Sequence, residues 1–118
     1  MSIVVYGIPT CGTVKKARSW LDRHTLKHQF VDFRAEPPTS GAVKEWVAKF
    51  GNKALRNTSG GAYRELGPEK DAWTDAQWAK AFAAEPMLIK RPVICKDGVP
   101  VLVGFSATDA ELLAALAS

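Results

Sequence analysis

Short apolar runs alternate with helical stripes in this 118-residue chain, and the order of the alternation restricts the fold. The apolar run Ile3–Tyr6 predicts a first strand. Thr13–His24 predicts a helix, because its apolar residues recur at helical spacing and its cations face away from them. Lys27–Phe33 predicts a second strand. The N-terminal part of the chain therefore predicts a β-α-β unit.

The C-terminal part predicts two strands and a helix. Asp97-Gly98 supplies the positive φ of a tight turn, so Pro92–Lys96 and Val101–Phe105 on either side of it predict a hairpin. A final helix is predicted over Asp109–Ala117. The residues of this helix that we expect to face a core are Leu112, Leu113 and Leu116.

Helices and a loop are predicted between these two parts. Thr39–Arg56 predicts one helix, with Gly51 as a dent or a C-cap, and three glycines in Asn57–Pro68 predict a loop. A second helix is predicted from a Thr74 cap to Glu85. The order β-α-β, helices, β-β-α is that of an α/β, thioredoxin-like fold. We expect one domain over residues 1–118, with a helical insertion at about residues 39–86.

Composition narrows the class of protein. A chain of this length buries about two thirds of its unfolded surface and folds without disulfides. Cys11 and Cys95 are too few for a secreted scaffold, and a strand follows the N-terminus at once, so we expect a cytoplasmic protein. The cations behind the net charge of +4 are scattered, so nucleic acid is not an expected partner. The apolar stretches are too short to span a membrane. His24 and His28 lack neighbouring ligands, so no metal is expected.

Cys11 is the residue that most suggests a function. It lies between the first predicted strand and helix, where unpaired N–H groups and the helix dipole favour a thiolate. Such positions lower the pKa of a cysteine below its free value of about 8.5, which makes Cys11 a candidate nucleophile. The alternative is that Cys11 is a small buried hydrophobic residue.

Five segments spread over the chain carry motifs of a known family: Tyr6–Arg18, Leu55–Thr58, Tyr63–Gly67, Lys90–Val93 and Leu102–Ser106. Together they resemble the arsenate reductase/Spx superfamily, the ArsC family, and most of all its YffB-type members. The resemblance implies that Cys11 is the catalytic nucleophile. It also implies that Arg56 and Arg91 hold anionic charge, which suits forked guanidinium donors, although a surface salt bridge is the alternative for each. The peptide bond Arg91-Pro92 is expected to be cis.

The resemblance also implies glutathione as a co-substrate. The residues assigned to binding it are Thr13, Lys15, Arg56, Arg91 and Pro92. The regulators of the superfamily carry a second cysteine at the position of Val14, so no local disulfide is possible here. Cys95 lies roughly 10 Å beyond Pro92 along a strand, whereas disulfides need Cα atoms within about 7 Å, so we expect a buried core thiol. An oxidised Cys11 therefore needs an external thiol.

Two departures from the arsenate reductases bear on the substrate. The third anion-holding arginine of those enzymes falls near Gly104-Phe105, and a histidine after their first strand is replaced by Gly7. We therefore predict a monomeric, glutathione-dependent thiol/disulfide reductase, with glutathione and glutaredoxin as partners and a small oxyanion or disulfide as substrate. The alternatives are a true glutathione- or glutaredoxin-linked arsenate reductase, or an Spx-like regulator that binds RNA polymerase without catalysis.

Overall fold

In the computed structural model, which describes residues 2–117, four strands form one mixed sheet. The strands are β1 (Ile3–Gly7), β2 (Gln29–Asp32), β3 (Val93–Lys96) and β4 (Val99–Val103). Their order is β2-β1-β3-β4, in which β1 pairs parallel with β2 and antiparallel with β3, and β3 pairs antiparallel with β4. This topology confirms the predicted α/β, thioredoxin-like fold, with a β-α-β half and a β-β-α half.

Six α-helices accompany the sheet in the described residues. They are α1 (Gly12–Arg23), α2 (Ser40–Phe50), α3 (Asn52–Leu55), α4 (Gly61–Arg64), α5 (Asp75–Ala84) and α6 (Asp109–Leu116). Single 3₁₀ segments lie at Pro68–Ala72 and Pro86–Leu88. None of the helices between residues 2 and 117 has the length and apolar content to cross a membrane.

The chain divides into two compact units. The first contains the described residues up to Asp32 and those from Arg91 onward, and so holds the whole sheet with α1 and α6. The second is Phe33–Lys90, which holds α2 to α5. The helical insertion expected at about residues 39–86 falls inside the second unit, and the expectation of a single domain over residues 1–118 stays a prediction.

The core of the first unit lies between one face of the sheet and the helices α1 and α6. It is formed by Ile3, Val5, Val14, Ala17, Trp20, Leu21, Ile94, Leu112 and Leu116. The stripe predicted on α1 is thus confirmed. The prediction for Leu113 was wrong, because 39% of this side chain is exposed. Leu112 and Leu116 are four residues apart and share the buried face of α6, whereas Leu113 is turned away from it.

The second unit has its own core of large side chains. Those that are almost fully buried include Phe33, Trp46, Leu55, Trp78 and Phe82. Phe33 lies 6.0 Å from Trp46 between ring centroids, which explains why β2 ends at Asp32 and not at the predicted Phe33.

One predicted helix is two. Thr39 caps α2 through a bond from the Ala42 N–H, as expected, but Gly51 has a φ of +83° and is the C-cap of α2. A φ in this region suits glycine and ends the helix, so Asn52–Leu55 starts again as α3. The predicted loop Asn57–Pro68 contains the one-turn helix α4.

The start of α5 and the hairpin turn agree with the predictions from the sequence. Thr74 opens α5 with a complete capping box, as predicted. Asp97 and Gly98 have φ values of +53° and +82°, as a two-residue hairpin turn requires. The strand after this turn begins at Val99, two residues before the predicted start, and it includes Pro100.

Candidate active site around Cys11

Cys11 is the N-cap of α1. Its N–H donates to the carbonyl oxygen of Ile8 at 3.2 Å, and its own carbonyl accepts from the N–H of Lys15 at 3.0 Å. These two bonds fix the backbone at the point where the chain leaves the turn and enters the helix. The side chain is partly exposed and packs on its other side against the first unit's core. The predicted position of a cysteine at a helix N-terminus is therefore confirmed.

The surroundings of Cys11 favour its thiolate form. Burial by itself raises the pKa of the thiol. The N–H groups of Val14 and Thr13 and the guanidinium of Arg91 together lower the pKa by more than burial raises it, so the pKa is below its ordinary value. The Sγ atom of Cys11 makes no well-aligned capping hydrogen bond, yet these donors lie close enough to stabilise a negative charge on it. The first turn of α1 contains no acidic residue that would oppose them.

Gly7 gives this site its close packing. A Cβ at this position would lie 2.6 Å from Cγ2 of Val14 and 3.7 Å from Cβ of Arg91. The first distance is well inside the normal contact of two carbon atoms, so α1 approaches the end of β1 closely because residue 7 has no side chain. The absence of a histidine here is thus a packing requirement of this chain.

Arg91 lies beside the thiol in the same unit, and Pro92 follows it. The peptide bond between them is cis, as predicted, and the carbonyl of Pro92 accepts the N–H of Gly104 at 2.8 Å. Gly104 has a φ of +74°, which a residue with a side chain rarely adopts. Phe105 packs its ring edge-on against Trp20, with centroids 6.2 Å apart. The place of the third family arginine therefore offers backbone and an aromatic ring, without a cationic side chain.

The remaining predicted residues are Thr13 and Lys15 on α1 and Arg56 at the end of α3. The backbone N–H of Thr13, like Arg91, acts on the thiol of Cys11. The side chain of Lys15 is exposed on α1 and lines an open groove together with Phe105. Arg56 belongs to the second unit.

In the second unit, Arg56 is held by contacts that local sequence does not reveal. Its guanidinium carbon lies 4.1 Å from the ring centroid of Trp78, and Nη2 donates to Oδ1 of Asn52 at 2.5 Å. Asn52 in turn donates through Nδ2 to Oδ1 of Asp75. Within residues 2–117 Arg56 has no carboxylate partner, so the salt-bridge alternative for this arginine was wrong. The spacing of four residues between Asn52 and Arg56 is the one signal of this arrangement in the sequence.

Cys95 is a core thiol, as predicted. It is 6% exposed on the central strand β3, and it pairs in register with Val4. Tyr6, five residues before Cys11, pairs with Val93, which comes two positions before Cys95 in β3. Cys11 and Cys95, both within residues 2–117, are not joined by a disulfide. No group of three potential metal ligands occurs among the described histidines, cysteines and acids.

The fold and the site define a thioredoxin-like protein with one activated cysteine at the start of its first helix. The model of the ArsC family matches residues 6–113, and the chain belongs to this family.

Similar proteins cover nearly the whole chain. A protein of Haemophilus influenzae is 37% identical over 105 residues, which span 88% of this chain and 91% of the relative. YusI of Bacillus subtilis is 35% identical over 115 residues, which span 94% of this chain and 97% of YusI. The solved structure of a protein named YffB has a TM-score of 0.85 and 36% identity, and the match covers 97% of this chain and 98% of that one.

Relatives with a named activity or role are more distant. An arsenate reductase of Acidiphilium multivorum is 27% identical over 95 residues, or 79% of this chain and 67% of the enzyme. The global transcriptional regulator Spx of Listeria innocua is 24% identical over 97 residues, or 80% of this chain and 74% of the regulator. The family thus contains proteins named as enzymes and proteins named as regulators.

Proposed function

We propose that this protein is a glutathione-dependent thiol/disulfide reductase with Cys11 as its nucleophile. The observation that carries the proposal is the position of Cys11 at the N-cap of α1, where the N–H groups of Val14 and Thr13 and the guanidinium of Arg91 lower the pKa of its thiol. A thiolate is the reactive form of cysteine, and it is also the better leaving group in the reverse attack. The likeness to the arsenate reductases supports an oxidoreductase.

The reaction consists of two thiol–disulfide exchanges. The Cys11 thiolate attacks the glutathione sulfur of a mixed disulfide, R–S–S–glutathione, forms a Cys11–glutathione disulfide, and releases the thiolate of R, which takes a proton from water. A second glutathione thiolate then attacks the glutathione sulfur bound to Cys11. It releases oxidised glutathione and returns Cys11 as a thiolate. Together, the mixed disulfide and one free glutathione thiol give the thiol of R and oxidised glutathione.

An external thiol is needed because the chain offers no resolving cysteine. Val14 occupies the position of a second motif cysteine, and Cys95 is buried in a central strand. Glutathione is the abundant thiol of a reducing cytoplasm, where we place the protein, and glutaredoxin is a second reductant of the same chemistry. Thr13 and Arg91, which act on the thiol, and Pro92, which follows Arg91, are the residues that we assign to the peptide portion of glutathione.

Arsenate reduction is the second candidate, because relatives carry that name. Gly104 and Phe105 replace a cationic donor there, and a lost charge-assisted hydrogen bond costs about 1.5–3 kcal/mol. An Spx-like regulatory role has weaker support, since Val14 removes the disulfide switch.

A coupled assay tests the proposal. Purified protein is supplied with glutathione, NADPH and glutathione reductase, and with the mixed disulfide of cysteine and glutathione as substrate. We expect turnover by the wild type and by Cys95→Ser, and none by Cys11→Ser. Mass spectrometry should find glutathione on Cys11 alone. Equal turnover by Cys11→Ser, or no turnover by the folded wild type, would contradict the proposal.

A further inference from the structure

An open groove runs along the outer side of α1 in the first unit. It has a volume of about 360 Å³ and is lined by Lys15, Lys16, Ser19, Arg23 and Phe105. The four residues from α1 are exposed, and Phe105 is half-buried against Trp20. The groove begins one helical turn from Cys11, since the N–H of Lys15 donates to the carbonyl of Cys11. Cys11, Lys15, Ser19 and Arg23 recur every four residues, so a peptide that follows this side of α1 toward the start of the helix reaches the thiol.

The groove is cationic, and its charges are not neutralised by the protein. Three of its five lining residues are cations and none is an acid. Across residues 2–117, none of the three cations is paired with a carboxylate. Asp109 accepts from Nε1 of Trp20 at 3.0 Å, and Asp22, the sequence neighbour of Arg23, lies 4.0 Å from His28. The groove therefore suits an anionic ligand that also has apolar side chains for the Phe105 ring.

The length of the groove excludes glutathione as the ligand that fills it. With a rise of 1.5 Å per residue, Lys15 lies about 6 Å along the helix from Cys11, and Arg23 lies about 18 Å from it. Glutathione has one residue on either side of its cysteine, so its carboxylates reach roughly 4–7 Å from that residue. They can meet Lys15 but not Arg23. An extended peptide covers about 18 Å with five to six residues.

We propose that this groove binds an acidic segment of a protein substrate whose cysteine, within about six residues of the acids, carries the glutathione mixed disulfide. The inference rests on the proposed function and names its substrate class. The segment lies along α1 with its acids on Lys16 and Arg23, and its disulfide is thereby held at Cys11. The Cys11 thiolate attacks the glutathione sulfur, the peptide leaves as a thiolate that is then protonated, and glutathione regenerates Cys11 as described above.

Two synthetic peptides test the inference. Each has about thirteen residues with one glutathionylated cysteine at its centre; one has acidic residues on both sides of the cysteine, out to the sixth residue, and the other has the isosteric amides. Two exposed ion pairs, on Lys16 and Arg23, each worth a factor of about two, predict an approximately fourfold higher kcat/KM for the acidic peptide. The preference should shrink as salt rises from about 50 mM to about 300 mM, because exposed pairs are screened.

Charge-reversal variants locate the effect. Lys16→Glu with Arg23→Glu should lower the preference below about twofold. Lys27→Glu with Lys49→Glu changes the net charge equally at exposed positions elsewhere, and should leave the preference unchanged. The inference would be overturned if the wild type turned over the acidic and the amide peptide equally. It would also be overturned if both double variants lost the acidic preference to the same extent. A single-stranded RNA of the same length that competes as well as the acidic peptide would overturn it too.

A small substrate separates this inference from the proposed function. All three proteins should turn over the cysteine–glutathione mixed disulfide at the same rate, because its arms do not reach the far end of the groove. If the folded wild type turns over neither this compound nor the peptides, the proposed function fails and the inference falls with it. If it turns over the small compound but shows no acidic preference, only the inference fails.

Discussion

Gly7→Ala should disturb the active site through steric contact alone. The new Cβ would lie 2.6 Å from Cγ2 of Val14, about 1 Å inside ordinary van der Waals contact. Val14 is fully buried and β-branched in a helix, so it has essentially one χ1 rotamer and cannot turn away. The strain must move the first turn of α1, where the Val14 N–H helps to lower the pKa of Cys11.

The expected cost follows from two opposing effects of Gly7→Ala. Overpacking of this size costs about 1–3 kcal/mol. The loss of a glycine from the unfolded chain returns about 0.4–1 kcal/mol. The net destabilisation is about 1.5 kcal/mol, which lowers Tm by roughly 5–8 °C for a chain of this length. The midpoint of Cys11 alkylation with pH should rise together with the loss of stability.

A double-mutant cycle isolates the contact. Val14→Ala alone should cost about 2 kcal/mol through lost burial and a cavity. In the double variant with Gly7→Ala the two changes compensate, and urea unfolding should show it to be about 1 kcal/mol more stable than the sum of the single effects. If the two effects add within about 0.3–0.5 kcal/mol, the contact does not limit residue 7 and the reasoning is refuted.

Three further predictions concern the thiol, a helix cap and the substrate. Arg91→Met should raise the pH midpoint of Cys11 alkylation, because Arg91 lowers that pKa, while Arg91→Lys should shift it less; unchanged midpoints would remove Arg91 from the site. Thr74→Ala should cost about 1 kcal/mol in urea unfolding through the lost cap of α5, and no loss would contradict the capping box. Phe105→Arg should raise arsenate turnover in a glutathione- and glutaredoxin-coupled assay from a level about ten- to hundredfold below a three-arginine site. Wild-type turnover at the level of a dedicated arsenate reductase would contradict this.

Local patterns in the sequence predicted much of the fold. The α1 stripe, the capping box at Thr74 and the turn at Asp97-Gly98 each depend on residues close together in the chain, and each was confirmed. The break at Gly51 was left open, because a glycine between two helical segments fits either a continuous helix or two helices until its φ is known. Phe33 continues the pattern of β2 but is buried with Trp46, and such long-range packing leaves no periodic signal.

The candidate site divides in the same way. Cys11 was predicted from its position between a strand and a helix, and Arg91 from its family motif, and the structure places them together. The support of Arg56 by Trp78 was not predicted, because 22 positions separate the two residues and either one alone is typical of an ordinary surface or core position.

Strand β4 lies at one edge of the sheet, and its composition bears on self-association. Pro100 lacks an N–H, and prolines in edge strands direct this missing donor outward. The register also shifts between Ile94 and Cys95, which distorts the ladder beside it. A strand of a second molecule that paired with β4 would lack one hydrogen-bond donor and would face an irregular strand. The exposed Val99 at the start of β4 therefore lies on an edge that pairs poorly with a strand of a second molecule.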